Sequence, residues 1–191
     1  MTTRRPHAML VERLPGEDAG LDACVARVRD ARVHIVRFDS LWQALSALRR
    51  LQLERAFGAL AVLDLVGHGE AGALSVGDAL LTADPQAQRV LAQLANPPAL
   101  IDGATVLRLL GCGVGVGGLA HELPLGAAGD GPLLALALKR RLGCRVQLAL
   151  RGVDPHDFAN SGFATPASLA EAPDAERCTL VALATASPDA P

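Results

Sequence analysis

Two reactive side chains each follow an apolar run of the sequence and lie between glycines. His68 comes after the run 59–66 (ALAVLDLV), and Cys112 comes after the run 104–110 (ATVLRLL). A thiol with the ordinary pKa of about 8.5 is only a few per cent thiolate at neutral pH, so its attack on a carbonyl carbon needs a base. A nearby imidazole can accept the thiol proton and later protonate the leaving amine. This pair of residues is therefore suited to acyl transfer.

Backbone N–H groups near these side chains could stabilise the oxyanion of such a reaction. Those of Gly69 and Cys112 are the candidates, and each donor of this kind is worth about 3–4 kcal/mol. We expect no cofactor and no metal. The single lysine, Lys139, lies in a helix-like segment, which excludes a P-loop. Only His68, Cys112 and His121 could form a metal cluster, and nothing in their spacing indicates one.

The rest of the chain alternates strand-like and helix-like patterns. Strand patterns are short apolar or β-branched runs, whereas helix patterns place apolar residues three and four positions apart. Their order predicts an α/β three-layer sandwich, with a mainly parallel sheet and helices on both faces. The predicted strands are 8–14, 33–38, 59–66, 104–111 and 144–150, the predicted helices are 20–31, 41–57, 84–95 and 131–143, and a hairpin over 72–81 turns at Gly77-Asp78.

Cap residues support three of these helices. Asp39 or Ser40 can cap the helix 41–57, and Asp84 can cap the helix 84–95, with Pro85 at its first position. Gly143 ends the helix 131–143.

We expect a single domain over residues 1–191, with its core at about 8–150 and an irregular segment at 151–191. The run 178–184 (CTLVALA) is a candidate edge strand. Open α/β sheets bind ligands at the carboxyl ends of their strands. Because 59–66 and 104–110 would be neighbouring parallel strands, we expect His68 to face Cys112.

The motifs around these two residues resemble those of the caspase-like cysteine peptidases, a fold that also includes separases, gingipains and metacaspases. In that fold one apolar strand ends in His-Gly and a later one ends in the nucleophilic Cys. A bacterial branch of the fold has the pattern HG..G.L.LG..L followed by L..GC..G. The likeness covers about residues 8–150, and the matching positions are His68, Gly69, Gly72, Leu74, Leu81, Gly111 and Cys112, with Gly77 near its expected place.

The resemblance implies that Cys112 is the nucleophile, His68 the general acid/base and the Gly69 N–H an oxyanion donor. The substrate would be a protein or peptide. The residue two before the Cys is acidic in metacaspases and Gln in caspases, but here it is Leu110, so neither group's P1 preference carries over. Charged candidates for an S1 determinant lie near strand ends, with nothing to select among them: Glu12, Arg13 and Asp154.

A long glycine-rich loop occupies 113–131, where a helix would be expected after the Cys. Loops of this length are usually functional or mobile, and we hypothesise that this one covers the cleft or is cut during activation. Its start (113–118, GVGVGG) matches the dinucleotide fingerprint G-x-G-x-x-G. That match follows the fourth strand rather than the first, Pro124 prevents an immediate helix, and the acidic residue expected about 20 positions later is missing.

The composition limits the partners. A net charge of −2 gives no reason to expect nucleic acid, and no apolar stretch approaches the length of a membrane span of about 18–20 residues. The apolar run after Arg4 and Arg5 is too short for a signal peptide. The four cysteines are scattered, which favours reduced thiols and a cytoplasmic protein. The sequence does not indicate the oligomeric state.

A second class of function stays open at this point, because the same fold can serve as a non-catalytic interaction module that holds a partner peptide. The remaining cysteines, Cys24, Cys144 and Cys178, are expected to be small buried hydrophobes. His7 and His34 have no context that indicates chemistry, and His156 is expected in a surface turn.

Overall fold

The structure, a computed structural model, describes residues 5–13, 18–116 and 130–172. Four α-helices are described: α1 (Ala19–Ala26), α2 (Leu41–Arg55), α3 (Arg89–Ala92) and α4 (Gly131–Leu142). The described strands are β1 (His7–Glu12), β2 (Val33–Phe38), β3 (Val62–Val66), β4 (Gly69–Glu70), β5 (Ala73–Ser75), β6 (Leu80–Leu81), β7 (Val106–Leu110), β8 (Arg145–Ala149), β9 (Phe158–Ala159), β10 (Gly162–Phe163) and β11 (Leu169–Glu171).

A six-stranded sheet forms the centre, in the order β11-β8-β7-β3-β1-β2. The strands β1, β2, β3, β7 and β8 are parallel, and β11 adds an antiparallel edge strand beside β8. The predicted α/β class with a mainly parallel sheet is confirmed. None of the helices within the described ranges is long and apolar enough to cross a membrane.

Both faces of the sheet are covered, which explains why its inner strands read as continuous apolar runs. Along β1, Ala8 and Leu10 join the core that contains residues of α2, α3 and α4. Met9 and Val11 join the core on the other face, with residues of α1 and of the β9–β10 hairpin. All four of these β1 side chains are fully buried.

Local signals place the ends of the two longest helices. The Ser40 hydroxyl accepts a hydrogen bond from the Gln43 N–H at 3.3 Å and so caps α2. Gly143 follows α4 with a φ of 65°, a left-handed conformation that costs glycine little. The hairpin also turns where predicted, since β5 and β6 are antiparallel and Gly77 has a φ of 77°.

The structure differs from the prediction in two helices. The predicted helix 20–31 is α-helical only as α1, which ends at Ala26, and the N–H groups of Arg29 and Asp30 donate to the Asn160 carbonyl oxygen instead. Only Arg89–Ala92 of the predicted helix 84–95 is α-helical, followed by a 3-10 turn over Gln93–Ala95. Residues 85–88 form turns, where the buried Gln88 side chain donates to the carbonyl oxygen of Thr82 at 2.9 Å. The candidate strand 178–184 lies outside the described residues, and the edge of the sheet is formed by β11.

Candidate active site

The strands that carry His68 and Cys112 are direct neighbours in the sheet. β3 and β7 pair in parallel with Val66 beside Leu110. The Gly67 N–H donates to the Leu110 carbonyl oxygen at 3.3 Å, so the pairing continues one residue beyond β3. The two residues therefore leave the sheet at the same edge, the carboxyl end of its parallel strands.

His68 and Cys112 both line one cavity of about 240 Å³ at this edge. Both residues are exposed, and the His68 side chain is 57% exposed. The remaining lining comes from α1, from the ends of β3 and β7 and from the segment after β8, and comprises Asp18, Gly20, Leu21, Cys24, Val66, Gly67, Leu110, Val153, Asp154 and Pro155. The structure thus brings the imidazole and the thiol to the wall of a single opening.

Asp18 holds the His68 imidazole. Its Oδ2 lies 2.6 Å from His68 Nε2, and its Oδ1 accepts the N–H groups of Gly20 and Leu21 at the start of α1, both at 3.1 Å. The hydrogen bond from His68 is the main cause of a lowered Asp18 pKa, so this carboxyl is ionised at neutral pH. When Nε2 carries the proton toward Asp18, Nδ1 of the neutral ring is left as the acceptor.

Asp18 was missed from the sequence. No local pattern marks it as more than a helix cap, because its histidine partner lies 50 positions away. One signal was available: the segment after β1 leaves the same edge of the sheet as His68, since β1 is the other neighbour of β3. Any polar residue of that segment was therefore a candidate.

Glu12, at the end of β1, anchors the loop that carries His68. Its carboxylate is 1% exposed. Oε2 accepts the His68 N–H at 3.1 Å, while Oε1 accepts the Gly77 N–H at 2.9 Å and the hydroxyl of Ser75. Because both oxygens are engaged inside the protein, Glu12 is not available to recognise a substrate side chain, although the sequence left it as an S1 candidate.

The other two charged S1 candidates lie in different places. Arg13 pairs with Asp39 at 3.8 Å and does not line the cavity. Asp154 does line it, and its Oδ1 accepts the His156 N–H at 2.7 Å in the capping box of the 3-10 turn Pro155–Asp157.

The glycines beside the two reactive residues let their loops touch. A Cβ on Gly69 would lie 3.1 Å from the Cys112 backbone nitrogen and 3.0 Å from the Gly111 carbonyl carbon. A Cβ on Gly111 would lie 3.0 Å from the Gly67 carbonyl oxygen. Since real Cβ atoms are rarely so close to backbone atoms, Gly69 and Gly111 are needed for the two loops to approach each other.

Two backbone N–H groups beside the reactive side chains make no hydrogen bond to the described residues. The Ser75 N–H donates to the His68 carbonyl oxygen at 2.7 Å, which makes Gly69 and Leu74 a non-hydrogen-bonded pair and leaves the Gly69 N–H outside the ladder. The Cys112 N–H has no acceptor among the residues that the structure describes.

Exposure separates Cys112 from the other described cysteines. Cys24 and Cys144 are buried, and burial is the main cause that raises the pKa of each to about 11. Cys178 lies outside the described residues, as do His121 and most of the loop 113–131 on which the covering and cleavage hypotheses rest.

His7, which had no supporting context in the sequence, belongs to a buried charged cluster. Its Nε2 lies 2.8 Å from Oδ2 of Asp64 on β3, and Arg108 on β7 binds the same carboxylate at 2.5 and 2.7 Å. His34 stacks on Phe57 with 6.0 Å between ring centroids, and His156 is exposed, as expected for a surface turn. Within the described ranges, no group of three or more His, Cys, Asp or Glu residues is arranged to hold a metal ion.

Comparisons with protein-family models, with curated proteins and with solved structures gave no match to the chain. The function must therefore be inferred from the geometry of the cavity and from the motifs that line it.

Proposed function

We propose that the protein is a cysteine endopeptidase of the caspase-like type, with Cys112 as nucleophile and His68 as general acid/base. One observation carries the proposal: an exposed thiol and a carboxylate-bound imidazole line the same cavity at the carboxyl edge of a parallel sheet. The HG…GC motifs support it, because they resemble the motifs that carry the His/Cys dyad of caspase-like peptidases. Asp18 is added as the residue that orients the imidazole.

Acylation begins when Sγ of Cys112 attacks the scissile carbonyl carbon. The S–C bond forms, the thiol proton passes to Nδ1 of His68, and the carbonyl π electrons move to the oxygen. The N–H groups of Gly69 and Cys112 donate to this oxyanion. The C–N bond then breaks as His68 returns the proton to the departing amine, which leaves an acyl-enzyme.

Deacylation repeats these roles with water. His68 accepts a proton from the water molecule as its oxygen attacks the thioester carbon. The C–S bond breaks and the sulfur regains the proton from His68, so the enzyme returns to its starting state. Throughout, Asp18 stabilises the imidazolium form of His68, as a triad aspartate does.

The His68 imidazole of the free protein is hydrogen-bonded to Asp18 and not to the thiol. Among the described residues, no hydrogen bond joins Cys112 to His68, and the imidazole is directed to Asp18 instead. Catalytic hydrogen bonds are often long before substrate binds and tighten in the complex. We therefore propose that His68 takes up the Cys112 proton during attack, once a substrate is bound. Free thiols of this kind persist in a reducing compartment, which favours a cytoplasmic location.

The lack of a hydrogen bond between Cys112 and His68 favours a second candidate function. A non-catalytic caspase-fold module would hold a partner peptide at this edge of the sheet without cutting it, and it would need no contact between Cys112 and His68. The two functions differ in whether a bound peptide is hydrolysed.

Peptide-library profiling by mass spectrometry separates the two candidates. The matched variants are Cys112→Ala, which removes the proposed nucleophile, and Cys144→Ala, which removes a buried thiol outside the cavity. The peptidase proposal expects cleavage by the wild type and by Cys144→Ala but not by Cys112→Ala. Peptides that bind the wild type and stay intact would overturn it in favour of the interaction module.

Alkylation by iodoacetamide provides a second test. Exposure alone makes Cys112 react faster than Cys24 and Cys144, so that difference is not informative. The informative comparison is the alkylation rate of Cys112 in the wild type and in His68→Ala. A rate that is equal in both proteins across pH 6–9 would contradict the role of His68 as the base for this thiol.

A further inference from the structure

The cavity beside Cys112 has mainly apolar walls. Away from the two reactive residues, its side chains come from α1, from the last residues of β3 and β7 and from the segment after β8, and the apolar ones are Leu21, Cys24, Val66, Leu110, Val153 and Pro155. Cys24 is only 3% exposed and belongs to the hydrophobic core on the α1 face. A neutral buried thiol behaves as a small hydrophobe, so this wall is apolar as well.

The charged side chains that line the cavity are carboxylates and are largely engaged. Among the residues that the structure describes, the lining includes no lysine and no arginine, and its carboxylates are Asp18 and Asp154. Asp18 already accepts hydrogen bonds from the His68 ring and from two backbone N–H groups. Asp154 is exposed and caps a 3-10 turn. Nearby Arg151 is paired with Asp157, and Arg27 donates to the Phe158 carbonyl oxygen at 3.0 Å.

We propose that this cavity is the S1 subsite and that it takes an uncharged, aliphatic P1 side chain of the size of norleucine, methionine or leucine. The proposal rests on the proposed function, since it uses Cys112 as the point of attack. At about 240 Å³ the cavity is smaller than the sites of about 300–1,000 Å³ that enclose drug-sized ligands, so it suits one side chain beside the scissile carbonyl.

Charge determines which side chains the cavity excludes. A P1 aspartate would lose its hydration without gaining a cation, and it would lie near the carboxylates of Asp18 and Asp154. A P1 lysine has almost the same shape as norleucine, but its ammonium group would have to leave water for an apolar wall or bend back to Asp154. The aliphatic side chain carries neither cost.

Four peptides that differ only at P1 test the preference: alanine, norleucine, lysine and aspartate. The expected order of kcat/KM is norleucine at least about 10-fold above both alanine and lysine, and at least about 100-fold above aspartate, in line with the discrimination that apolar pockets achieve. Lysine cleaved as well as norleucine, or rates independent of P1, would overturn the proposal.

Substitutions of residues that line the cavity show whether this cavity determines the P1 preference. Val153→Phe fills it from a half-buried position, and the ratio of norleucine to alanine cleavage is expected to fall at least about 10-fold. Cys24→Leu narrows the cavity from the α1 side, and it replaces Val153→Phe in this test if circular dichroism shows that Val153→Phe is unfolded. Asp154→Asn tests the role of charge: the ratio of norleucine to lysine cleavage should stay the same or rise, and the ratio of norleucine to aspartate cleavage should fall. A constant norleucine-to-alanine ratio in a folded wall variant would place S1 elsewhere.

Binding separates failure of this inference from failure of the peptidase proposal. Affinities of the same peptides for Cys112→Ala, measured by fluorescence polarisation, do not depend on catalysis and should follow the same P1 order. If the order is found in binding but no peptide is cut by the wild type, the subsite stands and the peptidase proposal fails. If cleavage depends on Cys112 but the P1 order differs, only the subsite proposal fails.

Discussion

Replacing Arg108 by leucine should destabilise the protein by isolating a buried carboxylate. Asp64 lies in the middle of β3 with a fully buried side chain, and Arg108 occupies the matching position on β7. The Arg108 guanidinium binds both carboxylate oxygens, and it also lies 5.7 Å from the centre of the Phe163 ring. In Arg108→Leu, His7 would be the one remaining side-chain partner of the Asp64 carboxylate among the residues that the structure describes.

The size of the effect follows from the burial of Asp64. Removing one partner of a buried ion pair costs about 3–5 kcal/mol, because the remaining charge is left without compensation. For a domain of this size the loss corresponds to a fall in Tm of about 6–20 °C. The double variant Asp64→Leu, Arg108→Leu is the matched control. It removes both charges, and its unfolding free energy should be close to that of the wild type or higher.

The pH dependence gives this prediction a second readout. Burial raises the pKa of Asp64, but the Arg108 charge and the His7 hydrogen bond outweigh burial and leave the pKa lowered. A carboxyl with a lowered pKa stabilises the folded state above its unfolded pKa of about 3.9, and that contribution is lost as the pH falls through the folded value. In Arg108→Leu burial dominates, the pKa rises, and the deficit should shrink from pH 7 to pH 5.

Urea unfolding followed by circular dichroism at pH 7 and pH 5 measures these free energies for the wild type, the single variant and the double variant. A loss below about 1 kcal/mol in Arg108→Leu would refute the reasoning, as would a double variant that is as unstable as the single one.

Three further predictions concern the site. Asp18→Asn keeps an N-cap for α1, so the unfolding free energy should change by less than about 0.5 kcal/mol. The same change should lower kcat about 10–100-fold, less than the roughly 10⁴-fold of a buried triad aspartate because His68 is 57% exposed; an unchanged kcat would contradict the orienting role. Glu12→Gln places an amide N–H group against one of the buried donors from which the carboxylate now accepts a hydrogen bond, and it should lower the unfolding free energy, measured in urea, by about 2–4 kcal/mol. A smaller loss than that of Ser75→Ala would show that Glu12 does not anchor the His68 loop. Gly69→Ala introduces a methyl group 3.1 Å from the Cys112 nitrogen and should reduce the rate of peptide hydrolysis about 10–100-fold. The control is Gly58→Ala, because nothing lies within 4 Å of its added atom. Equal rates in the two variants would contradict the need for close contact between the two loops.

Elements with a clear local pattern were predicted well from the sequence. The β-branched run Val33–Phe38 is β2 over its whole length, and α4 runs from Gly131 to the residue before Gly143. In both cases a few consecutive residues carry the signal, namely apolar spacing, a cap or a left-handed glycine. The predicted helix 84–95 failed because the buried Gln88 side chain bonds to Thr82 within a run of turns, a local competition that apolar spacing does not register.

The residues that organise the site were harder to predict, because their contacts cross the sheet. Glu12 meets the His68 N–H over a separation of 56 residues, and nothing in the sequence around β1 indicates that its carboxylate points inward. Asp64 was different. A single acidic residue inside the apolar run 59–66 calls for a buried cation, and Arg108 inside the next buried strand was the available partner. That signal was present in the sequence and was not used.

Asp18 couples the start of helix α1 to the orientation of the His68 ring. The same carboxylate closes the first turn of α1 and orients the ring of His68. Fraying of that short helix would therefore release the imidazole, and a ring that turned away would weaken the helix in return. Any molecule that binds against α1, on the far side of Cys24, would thus change the orientation of the imidazole without touching either reacting group.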